Sequence, residues 1–153
     1  MTAPFRNVDG SPDDPVDTWP YEALVAVMDR GLVSDWQPIF AEIRRFPWGD
    51  VARRLERYLS YRDPDPITTL FKLALNSARD EADRTDKAEV ARRVHEAVTR
   101  SGLTKAAFAD LVGTSASRLS TYLKGTVTPS ASLLLRIERT AADLQQLETP
   151  HAT

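Results

Sequence analysis

The sequence predicts an all-α protein in two parts, an N-terminal helical domain and a C-terminal helical domain built around a tight glycine turn. Three observations predict it. Apolar residues recur at three- and four-residue spacing through most of the chain, in runs bounded by capping residues and by Gly or Pro. No alternating run of β-branched residues is bounded by turn signals, so nothing reads as a strand. The charge changes sign along the chain: residues 1–86 hold 11 Lys and Arg against 16 Asp and Glu, a balance of −5, whereas residues 87–142 hold 9 against 4, a balance of +5. An acidic front and a basic back predict two parts with different partners.

Composition bounds the function classes. A chain of 153 residues can bury a real core without staples. With no cysteine there are no disulfides, thiolate metal sites or Cys nucleophile, and a reducing, cytoplasmic setting is expected. No apolar run reaches the roughly 18 residues of a membrane helix. The N-terminus is rich in Pro and Asp rather than basic then apolar, so no secretory leader is expected.

Residues 1–18 carry Pro4, Pro12 and Pro15 with Asp9, Asp13, Asp14 and Asp17, a composition too polar to offset the entropy of ordering, and predict a flexible tail. An N-terminal helical domain is expected over 19–85. Its first helix runs from Tyr21 to Arg30, with Leu24, Val25, Val27 and Met28 apolar and Gly31 as the stop. The second, about Pro38 to Arg45, presents Ile39, Phe40 and Ile43. Its start has two candidates, a capping box of Ser34 with Gln37 or Pro38 as first residue. The third runs from about Asp50 to Tyr61 through Val51, Leu55, Tyr58 and Leu59. Asp65 and Pro66 then cap and open a fourth, carrying Ile67, Leu70, Phe71, Leu75 and Ala78. It fades into the charged stretch 79–86. Asp86 with Glu89 has capping-box spacing and predicts a new helix start there.

The second domain is expected over 86–142, with a tail over 143–153. Val90, Val94 and Val98 give the first of its helices a periodic stripe up to Gly102. Thr104 caps a short helix in which Phe108, Ala109 and Val112 face inward, and Gly113 closes it. Ser115 caps another short helix that ends at Lys124-Gly125. Two short helices joined by a tight glycine turn are a helix-turn-helix. Pro129 and Ser130 then introduce a helix with Leu133, Leu134 and Ile137 buried.

Read together, Gly102-Leu103-Thr104-Lys105-Ala106-Ala107-Phe108-Ala109-Asp110-Leu111-Val112-Gly113-Thr114-Ser115, then Leu119, Tyr122 and Gly125, then Pro129-Ser130 and the Leu-Leu-x-Arg-Ile run ending at Ile137, resemble the Cro and phage-repressor type of helix-turn-helix, the XRE family. The likeness covers about 55 residues, roughly a third of the chain, and is specific because core positions, both turns and the Pro-Ser helix start fall in register. It implies a lambda-repressor-like domain that binds double-stranded DNA as a transcriptional regulator, a repressor by expectation and a homodimer, since one unit reads only a half-site.

Helical geometry says which residues face outward. Counting about 100° per residue from Ser115, Leu119 and Tyr122 fall on one side, with Leu123 and Ala116 beside them, and Ser117, Arg118 and Thr121 fall at about 200°, 300° and 240°. A recognition helix lays that second face in the major groove, and Arg118 is its only residue with a fork for guanine. The resemblance maps base reading onto Ala116, Ser117 and Thr121, where larger polar residues are common in the family. Ala116 offers only apolar contact, which shifts the load to Arg118, water and DNA shape. By the same resemblance Thr104 and Lys105 meet phosphate. Ser115, Lys124, Thr126 and Thr128 are the further phosphate candidates, through hydroxyls, charge and helix-end amides.

In the front half, Arg44, Arg45, Arg53, Arg54, Arg57 and Arg62 interleave with Phe46, Trp48 and Tyr58, with Glu42, Asp50 and Glu56 available to lace them. Trp36, Phe40 and Trp48 are candidates for a dimer or partner interface, because Trp and Arg are typical anchors. A partner there makes the second function class an antitoxin, whose N-terminal helices hold a toxin while its helix-turn-helix autoregulates. No catalytic residue, cofactor or metal site is expected. His95 has no second ligand one helical turn away, His151 stands in the tail, and the six glycines form no phosphate-binding loop.

Overall fold

The protein is described here by a computed structural model, in which residues 10–148 are placed. Among those residues there are seven α-helices and no strand: α1 (Tyr21–Arg30), α2 (Val33–Arg45), α3 (Asp50–Ser60), α4 (Pro66–Ser101), α5 (Lys105–Val112), α6 (Ala116–Lys124) and α7 (Ala131–Glu148). The chain divides into two compact units between Ala82 and Asp83, inside α4.

In the first unit, α1 to α3 and the start of α4 enclose Leu24, Met28, Ile39, Ile43, Leu55, Phe71 and Leu75. Phe71 is the meeting point: Trp36 packs edge-on against it at 5.4 Å and Phe40 stacks on it at 5.2 Å. Trp36 is only 7% exposed, and its indole Nε1 donates to the carbonyl of Val27 at 2.9 Å. Trp36 is therefore a core residue and not an exposed interface, while Phe40, half-buried, packs against the same core through Phe71. Trp48 differs, at 54% exposed, with Phe46 at 50%. They stand in the α2–α3 turn, where the Arg45 guanidinium lies over the Phe46 ring at 5.0 Å.

Of the expected flexible tail, residues 1–9 lie outside the described residues. The rest departs from that expectation. Val16–Thr18 form a 3₁₀ turn, and Val16 and Trp19 are buried in the core. The Trp19 indole donates to the carbonyl of Asp14 at 2.9 Å, and Arg54 donates to the carbonyl of Trp19 at 2.6 Å. An apolar Val and Trp inside a polar segment are enough to pull it onto the core.

Neither expected start of α2 holds. The helix begins at Val33, where the Asp35 carboxylate accepts from the Leu32 amide at 2.8 Å, and Pro38 lies inside it. Proline there forfeits one backbone hydrogen bond, and burial of Trp36, Ile39 and Ile43 on the same helix offsets the loss. The start of α4 is as expected. Asp65 accepts from the Thr68 amide at 2.7 Å, and the Thr68 hydroxyl accepts from the Asp65 amide at 2.8 Å.

The new helix start expected at Asp86 does not exist, because α4 runs unbroken to Ser101. The stretch 79–86 is polar but contains neither Gly nor Pro, and the Asp83–Lys87 pair at 2.7 Å laces the helix across that point. Likewise α7 continues through 143–148, beyond the expected end at 142, since Leu, Gln and Glu there are good helix formers. Residues 149–153, with His151, lie outside the described ones.

The lacing of the front arginines is uneven. Glu56 pairs with Arg79 on α4, and Asp50 pairs with Arg54 at 2.8 Å and more loosely with Arg53 at 4.0 Å. Arg62 pairs with Asp29 at 3.2 Å. The Asp29 carboxylate also accepts from the Tyr58 hydroxyl. Burial, with that hydrogen bond, pushes the phenol up to about 12.

Candidate nucleic-acid interface

The second unit is a small core with a long helix on either side of a short-helix pair. Val94 and Ala97 of α4, Phe108, Ala109 and Val112 of α5, Leu119 and Tyr122 of α6, and Ile137 and Ala141 of α7 are all buried. Local chemistry sets each end of the pair. The Thr104 hydroxyl accepts from the Ala107 amide at 3.2 Å, and the Ser115 hydroxyl accepts from the Arg118 amide at 3.1 Å. Between them Gly113 stands at φ 78°, a left-handed conformation that a side chain resists, and Gly125 ends α6 at φ 75°. Ser130 caps α7 by accepting from the Leu133 amide at 3.2 Å.

That architecture leaves one face of α6 uncovered. Ala116, Ser117 and Arg118 are exposed, and Thr121 is half-buried. Helical geometry put Ala116 beside the buried side. In the structure it is exposed. Thr104, Lys105, Ser115, Lys124, Thr126 and Thr128 are exposed as well. Thr104 and Ser115 spend an oxygen lone pair on capping, which leaves each hydroxyl hydrogen free to donate to an anion.

Two hydroxyls are committed elsewhere. Thr121 donates to the carbonyl of Arg118 at 2.6 Å, so it can offer a base only an acceptor and a methyl. Thr126 donates to the carbonyl of Thr121 at 3.2 Å, which ties the loop back to α6 and leaves no hydrogen for phosphate.

Charge is distributed by pairing. Glu89 and Glu96 both bind Arg92, and Glu96 also binds Arg100. Arg93 grips Glu138 of α7 through two hydrogen bonds of 2.6 and 2.8 Å. The Arg92 guanidinium holds Glu89, and that of Arg100 with Arg92 holds Glu96, below the usual carboxylate range, so these acids stay ionised and neutralise the arginines. By contrast Lys105, Arg118 and Lys124 form no ion pair among the described residues. Asp110 is the single carboxylate on α5 and α6.

Residues 88–147 match the family model of the helix-turn-helix domain. This part of the chain is a helix-turn-helix domain. It occupies about two fifths of the chain, and no curated protein and no solved structure matches the sequence. In the helix-turn-helix domain, α5 and α6 are the two helices of the motif and Gly113 is its turn. Among the described residues no helix is long and apolar enough to cross a membrane, and no group of three or more His, Asp or Glu could hold a metal. The sequence placed Arg136 in the Leu-Leu-x-Arg-Ile run without giving it a role; in the structure its guanidinium donates to the carbonyl of Val112 at the end of α5.

Proposed function

We propose that this protein is a sequence-specific regulator of transcription that binds double-stranded DNA through α6, in the manner of the Cro and phage-repressor type, and acts as a homodimeric repressor. The observation that carries this reading is the uncompensated charge of the motif. The carboxylates on α4 and α7 that face arginines are consumed by them, while Lys105, Arg118 and Lys124 of α5 and α6 have no carboxylate partner. Cations left unpaired on an exposed helix pair are what a polyanion recognises. Ala116, Ser117, Arg118 and Thr121 form the base-facing surface, and Thr104, Lys105, Ser115, Lys124 and Thr128 the phosphate-facing one.

Binding is expected in spite of the net charge of −2. With about four to eight phosphates met per dimer, log affinity falls linearly with log salt at about −0.9 per phosphate. Titrations of a random duplex from low to physiological salt measure that slope, and weak affinity that ignores salt would end this reading.

A second reading adds a protein partner, as in an antitoxin. The exposed Trp48 and Phe46 favour it, because a solvent-facing Trp with a second exposed ring under the Arg45 guanidinium has the composition of an interface anchor. A small protein encoded beside this gene, coexpressed with it, should copurify with the wild type and not with Trp48→Ala. Copurification that survives both Trp48→Ala and Phe46→Ala removes this corner as the dock.

A further inference from the structure

The inference rests on the reading of α6 as the DNA-contacting helix, and concerns what aims it. The last carbonyls of α5 have no partner within the helix. The turn satisfies two of them itself, with the Gly113 amide donating to Asp110 at 3.3 Å and the Thr114 amide to Ala109 at 3.0 Å. The carbonyl of Val112, the last residue of α5, instead accepts from Nη1 of Arg136 in α7 at 3.0 Å. The guanidinium lies against the turn, since a Cβ on Gly113 would meet Nη1 at 3.4 Å. The Thr114 hydroxyl is buried with no hydrogen-bond partner, so the side chain of the turn supplies no tether. Arg136 forms no ion pair among the described residues, and its charge is directed at that carbonyl. Three residues after Val112, Ser115 opens α6 and receives the Arg118 amide at 3.1 Å.

We propose that Arg136 is a positioning residue for DNA specificity. By holding the Val112 carbonyl from α7, it sets the angle between α5 and α6 and so the direction in which Arg118 leaves the recognition helix. Phosphate contacts at the start of α5 do not pass through this turn. Base readout does, and it tolerates misplacement least because a bidentate hydrogen bond is directional.

The test uses the full chain, a duplex selected by the wild-type protein from a random library, and an unselected duplex, at one salt concentration. Arg136→Met keeps the apolar stem and removes the fork. It should lower affinity for the selected duplex about tenfold and for the unselected duplex less than about twofold, a split that general destabilisation would not produce. Arg136→Lys, with one point donor, should recover part of the loss. In the Arg136→Met background Arg118→Ala should cost several-fold less than it costs in the wild type, because the two act through one contact. Equal losses on both duplexes, or strictly additive effects of the two substitutions, would overturn the proposal. If the wild type itself fails to distinguish the two duplexes, the reading of α6 falls first and this inference with it, and that result is visible without any Arg136 variant.

Discussion

Arg118→Ala is expected to cost about 1–3 kcal/mol on the selected duplex and to relax base preference at one position per half-site. The side chain leaves the exposed face of α6 with no carboxylate partner, and its planar fork can span both acceptors of a guanine. Lys105 is the contrasting case. It is the first residue of α5, exposed, and carries a point charge where the chain would meet the backbone. Lys105→Ala should weaken selected and random duplexes about equally and make the salt slope shallower by about one unit for each phosphate it no longer neutralises. Measuring both variants on both duplexes at two salt concentrations separates the roles. If Arg118→Ala weakens both duplexes by the same factor, Arg118 is a phosphate contact, and specificity comes from DNA shape or from the front half of the chain.

The largest effect on stability is expected at Phe108. Its ring is fully buried among Val94, Val112, Leu119 and Ile137, with one contribution from each helix of the second unit. Phe108→Ala removes that common partner and leaves a cavity, at a cost of about 3–5 kcal/mol, a large share of what a small domain has. All three tryptophans belong to the first unit, so their emission reports on it alone. On heating, the variant should lose far-ultraviolet helical signal and DNA binding at lower temperature while tryptophan emission melts where it does in the wild type. Emission that shifts down together with the helical signal would show that the two units unfold as one.

The helix-turn-helix was legible almost residue by residue because everything that defines it is local. Thr104 caps Ala107, Ser115 caps Arg118, and Gly113 and Gly125 take left-handed conformations, each decided within four residues along the chain. The same periodicity put Ser117 and Arg118 on the exposed side of α6, though it put Ala116 beside the buried one and Thr121 is half-buried, and the start of α4 at Asp65 followed from a capping exchange three residues wide.

Where local signals competed, the sequence pointed the wrong way. Asp86 with Glu89 has the spacing of a helix start, yet nothing there breaks a helix that both cores already stabilise. Pro38 looked like a beginning and is an interior residue, because three buried side chains outweigh one missing hydrogen bond. Trp36, Phe40 and Trp48 all looked like anchors, yet Trp36 is core, Phe40 is half-buried against it, and Trp48 is exposed. Composition cannot separate these cases, since burial depends on which helices close over a ring.

The sequence by itself determined the all-α class, the caps, the glycine turn and the basic face of the second unit, all properties of a residue and its near neighbours. Only the tertiary structure decided which cations remain uncompensated, which hydroxyls of α6 and its loop are free, and that Arg136 holds the turn. The physical reason is distance along the chain. Arg93 meets Glu138 across 45 residues, and Arg136 meets Val112 across 24. Such pairs exist only once the apolar stripes of α4, α5 and α7 have packed and brought their polar edges within hydrogen-bonding reach.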